Sequence, residues 1–130
     1  MEAGTFLCDL DGTLFVHGTT DPLPGAMEFL RLVESAGYRI VFVTRRGDAE
    51  FADHPVYSRA ATEAMLAAHG LGHHTIVYDV RSPRFLVDDS PIQAISRPSG
   101  QGFTPEWLDD FAEAIGSGDE EASDAAEGGE

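Results

Sequence analysis

Residues Phe6-Leu7-Cys8-Asp9-Leu10-Asp11-Gly12-Thr13 constrain this chain more than any other stretch. An apolar run, which reads as a buried strand, stops at Asp9 and Asp11, with Gly12 directly after. In a strand, positions i and i+2 face the same way, so the two carboxylates can converge just past the strand's end. Anions held that close repel unless a cation or a shared proton relieves them. In open α/β sheets, ligands bind outside the carboxyl ends of the strands. The pattern therefore predicts an oxygen-ligand site of the Mg2+ type at the top of a parallel sheet.

The remaining chain supplies such a sheet. Thr5 to Leu10 read as the first strand. Leu14 to Thr20, β-branched and aromatic but broken by Gly18, read as a short hairpin over the site, carrying His17. After the turn Pro22-Leu23-Pro24-Gly25, the spacing of Ala26, Phe29, Leu30, Leu32 and Val33 predicts a helix to about Ser35, with Gly37 as its C-cap. Ile40 to Val43 form a continuous apolar run ending at Thr44, as expected of a parallel strand covered on both faces. Strand, helix, strand in this order makes a right-handed βαβ unit. A polar loop, Arg45 to Tyr57, leads to Ser58, which reads as the N-cap of a helix to about His69. Thr75 to Tyr78 and Phe85 to Val87 read as the third and fourth strands, the latter ending at Asp88-Asp89. Pro91 to Ser96 read as a short helical turn. Thr104-Pro105-Glu106 combines an N-cap, Pro at the first helical position and an acid in the first turn, so a last helix is predicted up to Gly116. The adjacent His73 and His74 would face opposite sides of a strand, and read as surface histidines rather than a shared metal site.

With 130 residues the chain is expected to form one domain, over 1–115. Residues 116–130 hold Gly, Ser, Ala and six acids without a bulky apolar side chain, and read as a disordered acidic tail. The formal charge is −15, and all eight cationic side chains are Arg. Such an acidic, Lys-free chain has the composition of a GC-rich or salt-adapted source, and salt should relieve its self-repulsion. The acidity argues against a nucleic-acid partner, whose phosphates need Lys and Arg. The single Cys8 sits in the first apolar run and reads as a small buried hydrophobe, with no internal disulfide. No signal segment or membrane span is read, so no membrane partner is expected and the expected location is the cytoplasm.

The DxDGT stretch resembles motif I of the haloacid dehalogenase (HAD) superfamily. The resemblance implies a three-layer, Rossmann-like parallel α/β sheet with helices on both faces. It makes Asp9 the nucleophile and Asp11 the general acid/base. Thr44 matches motif II, whose hydroxyl holds a phosphate oxygen. Asp88, with Asp89 second, matches the acidic motif IV, so that Asp9, Asp11 through its backbone carbonyl, Asp88 and secondarily Asp89 would be the Mg2+ ligands. Motif III is usually Lys; this chain has none, and Arg81 is favoured over Arg84 for it. Arg45 and Arg46, just after Thr44, are alternative cations for the substrate. Backbone N–H groups from Leu10 to Gly12 would hold further phosphate oxygens, and Thr13 would orient Asp11. The segments between these motifs leave no room for a cap domain. What the resemblance implies is a capless, Mg2+-dependent phosphomonoester hydrolase working through an aspartyl phosphate. Its open site would take a sugar phosphate, a nucleotide or a polymer end, or be enclosed by a second subunit of a homo-oligomer. The rival readings are a receiver-like phosphoacceptor module using Asp79 and a non-catalytic binding protein of the same fold.

Overall fold

The computed structural model describes residues 3–125. In chain order it contains β1 (Gly4–Asp9), α1 (Ala26–Ser35), β2 (Tyr38–Val43), α2 (Asp48–Phe51), α3 (Arg59–Ala68), β3 (Thr75–Val77) and α4 (Pro105–Ala125). The strands form one parallel sheet in the order β1-β2-β3. Asp9 pairs with Val43, and Val43 with Val77, so the three strands end level. Leu10, Thr44 and Tyr78 therefore leave the sheet side by side, along the edge where ligands bind in such folds.

The helices begin where local chemistry says they should. The Ser58 side chain accepts the Ala61 N–H at 3.2 Å and caps α3. Thr104 Oγ1 accepts the Trp107 N–H at 3.1 Å at the start of α4. That helix runs on through Gly116 to Ala125; of the stretch read as a tail, residues 126–130 lie outside the described part.

The core lies on one face of the sheet. Phe6, Cys8, Ile40, Phe42 and Ile76 share it, and they pack against Phe29, Leu30 and Val33 of α1, Met65 and Leu66 of α3 and Phe111 of α4. On the opposite face Leu7 and Val77 stay 53% and 43% exposed. Two right-handed crossovers stepping the same way across a sheet put both their helices on one side, which accounts for the asymmetry. The parallel α/β sheet with flanking helices agrees with the sequence; among the described residues, its apolar helix faces gather on this one side.

Two expected elements are not formed. Phe85-Leu86-Val87, read as a fourth strand, makes no ladder, and Phe85 and Val87 are 86% and 93% exposed. Pro91–Ser96 has no helical turn. The chain from Arg81 to Gly102 is instead an exposed strap that returns to the core at Phe103, which is buried. Phe103 stacks on Phe29 with centroids 4.6 Å apart. Its N–H donates to the Pro24 carbonyl at 2.7 Å. Gly25 and Gly102 allow this close approach: both have positive φ, and a Cβ on Gly25 would stand 2.3 Å from the Phe103 carbonyl oxygen.

Candidate active site

Asp9 ends β1 with its carboxylate partly open to solvent. Thr13 Oγ1 donates to its Oδ2 at 2.9 Å, and Arg84 Nη1 donates to its Oδ1 at 2.8 Å. Thr13 thus orients Asp9, where sequence reasoning assigned it to Asp11. Arg84 is anchored in turn by donating to the Val80 carbonyl at 2.9 Å.

Asp11 lies in a different setting. Its two oxygens accept a fork from Arg46, Nη2 to Oδ1 at 2.7 Å and Nε to Oδ2 at 2.9 Å. The Arg46 side chain is 1% exposed and also donates to the Thr19 carbonyl at 3.0 Å. Its guanidinium lies over the Tyr57 ring, 5.1 Å from the centroid. This planar fork matches a carboxylate in a way Lys cannot. Arg46 therefore ties the first strand's end to the hairpin and to the loop after β2.

The other expected site residues divide into those near this edge and those elsewhere. Thr44 stands at the end of β2 and is fully buried, its Oγ1 accepting the Arg46 N–H at 3.0 Å. Leu10 is fully buried, and the Gly12 N–H donates to the Phe15 carbonyl at 2.8 Å within the hairpin turn. A Cβ on Gly12, at φ +83°, would stand 2.4 Å from His17 Nε2 and 2.7 Å from Ser99 Oγ, so the hairpin and the strap close on this glycine. The hairpin itself is as expected, Val16 N–H meeting the Asp21 carbonyl at 2.9 Å.

Arg45 and Arg81 both meet Glu50, at 2.9 and 3.0 Å, and Arg45 beside it holds the Glu50 carboxyl below its usual range. Glu50 draws Arg81, the favoured of the two, towards α2, and Arg84 is the one that reaches Asp9. Asp79 accepts the Ala49 N–H at 3.1 Å from a backbone with φ 64°. Asp88 and Asp89 are exposed and bond locally, Asp88 Oδ1 accepting the Ser90 N–H at 3.0 Å and Asp89 Oδ1 the Ser90 hydroxyl at 3.5 Å.

These positions decide how a divalent ion would fit. Among the described residues, Asp9, Asp11, Asp88 and Asp89 do not bring three carboxylate oxygens around one point. Arg84 and Arg46 already neutralise Asp9 and Asp11, the role a cation would otherwise play. As arranged, the donor set does not fit a Mg2+ shell, because the strap that carries Asp88 and Asp89 has not joined the sheet.

The site is thus that of a parallel α/β sheet with two carboxylates leaving the end of its first strand. Residues 6–54 match the family model of haloacid dehalogenase-like hydrolases. The match spans both aspartates and Thr44, and it supports membership of the HAD superfamily and hydrolase chemistry in general. No curated protein and no solved structure matches the chain. Among the described residues, no helix is long and apolar enough to cross a membrane.

Cys8 is set apart from this chemistry despite its place beside Asp9. Burial, and secondarily the Asp9 charge, push its thiol up to about 12, so it stays protonated and inert.

Proposed function

We propose that this chain hydrolyses phosphomonoesters through an aspartyl phosphate on Asp9, as a capless enzyme with an open site. The observation that carries the reading is Asp9 itself: a strand-end carboxylate, oriented by Thr13 and faced by the Arg84 guanidinium. An Asp9 oxygen attacks phosphorus, and the ester oxygen leaves with a proton from Asp11. Water then attacks the acyl phosphate, gives its proton to Asp11 and releases inorganic phosphate. Arg84 serves the charge on the transferring group, since a phosphoryl group on Asp9 lies within reach of its fork. Both Asp11 oxygens are engaged by Arg46, so its proton transfers require one of them to be released.

Mg2+ is the ion such hydrolases generally use. Here it would compete with Arg84 for Asp9, and no step is assigned to it. Substrate is read by the loop after β2, where His54 stacks on Tyr57 with centroids 4.7 Å apart and Phe51 meets both rings edge to face at 5.8 and 5.1 Å. Such a platform suits a sugar phosphate, a nucleotide or a phosphorylated polymer end.

Asp9→Asn tests the reading. With p-nitrophenyl phosphate, turnover should fall by about ten-thousandfold or more while the melting temperature stays close to wild type. A near-native rate in this variant removes Asp9 as the nucleophile.

A further inference from the structure

Away from Asp9, the last turn of α1 and the loop entering β3 bring three metal-binding side chains together. Glu34, His73 and His74 place one ligand atom each within 4.8 Å of the others. Glu34 Oε2 lies 3.1 Å from Nε2 of both histidines, and the two imidazole centroids are 3.9 Å apart.

From this geometry we propose that Glu34, His73 and His74 form a Zn2+ site that clips α1 to the loop before β3, with water as the fourth ligand.

Ligands held roughly 2.0–2.1 Å from a tetrahedral ion stand about 3.3 Å from one another. The observed 3.1 Å separations from the carboxylate oxygen come within a few tenths of an ångström of that without rearrangement. Two imidazoles and a carboxylate are a donor set suited to zinc. Ordinary hydrogen bonding accounts for only part of the cluster. His73 Nε2 is bonded to Glu34. His74 Nε2, at the same distance from the carboxylate, has no hydrogen-bond partner although its side chain is only 9% exposed. A buried imidazole nitrogen that faces a carboxylate without a hydrogen bond is open to a metal ion. The Phe42 ring meets His74 edge to face with centroids 5.6 Å apart, fixing the imidazole from the core side.

The site is separate from the hydrolase reading and stands or falls without it. Its test is a Zn2+ titration of the full chain by calorimetry, with Co2+ absorption reporting the coordination geometry. One equivalent should bind saturably, with a tetrahedral Co2+ spectrum and a raised melting temperature. His73→Ala and Glu34→Gln, both at exposed positions, should weaken binding by about tenfold or more, and Asp9→Asn should leave it unchanged. His74→Ala should also lose binding; if it fails to fold, the two exposed variants decide. Absence of saturable binding overturns the site. So does undiminished affinity in both exposed variants, or loss of affinity in Asp9→Asn.

Discussion

The two aspartates of one short motif meet two arginines in opposite ways. Asp11 and Arg46 form a two-pronged pair in which the arginine is 1% exposed and fixed by backbone carbonyls and a ring. Asp9 and Arg84 share one contact, with side chains 32% and 27% exposed. Two residues along the strand end, the same charge chemistry thus serves as architecture at one position and as an open, exchangeable contact at the other. A pair that must let a substrate in has to be weak, and a pair that holds three segments together has to be strong.

Removing Arg46 should have the larger effect. Arg46→Ala leaves Asp11 with a poorly solvated, uncompensated charge, and stability should fall by about 3–5 kcal/mol, read from urea unfolding. If the loss is under about 1 kcal/mol, the two pairs do not differ in kind. Arg84→Ala should change stability by only about 0–1 kcal/mol, because the pair is partly solvent-screened. Its signature should be kinetic: turnover of p-nitrophenyl phosphate should drop, and any Mg2+ activation should shift to lower ion concentration once Asp9 Oδ1 is freed. Unaltered kinetics in this variant would remove Arg84 from the site. Added KCl should have the smallest effect and the opposite sign on the whole chain. It screens the −15 formal charge, so the melting temperature should rise even as the Asp9–Arg84 contact weakens. In Arg46→Ala that rise should persist, since the buried pair contributes little to it.

Local signals in the sequence were sufficient where a single residue type has one good reason to be present. Ser58 and Thr104 mark helix starts because their hydroxyls can take an end-of-helix N–H, and both do so. The apolar run before Asp9 gives a strand, and the run before Thr44 gives its parallel neighbour. Phe85-Leu86-Val87 misleads because three apolar residues have no period long enough to separate a strand from an exposed stretch. Its neighbour Arg84 turns to the Asp9 carboxylate and the Val80 carbonyl, and this part of the strap makes no ladder.

Long side chains escape such reasoning altogether. Arg46 meets a carboxylate 35 positions away, and nothing in its neighbourhood names that partner. The histidine pair lies outside strand alternation for a related reason: β3 starts at Thr75, and in the preceding turn both rings reach the same glutamate.

Phe103 carries one more consequence. The ring that fills the space against α1 arrives 74 positions after Phe29, with its N–H on Pro24. During synthesis the first βαβ unit therefore emerges from the ribosome before the ring that stacks on Phe29 has been made. Closing so distant a contact is entropically slow compared with winding α1. The strand-end aspartates are thus made well before the aromatic ring that completes the packing against α1.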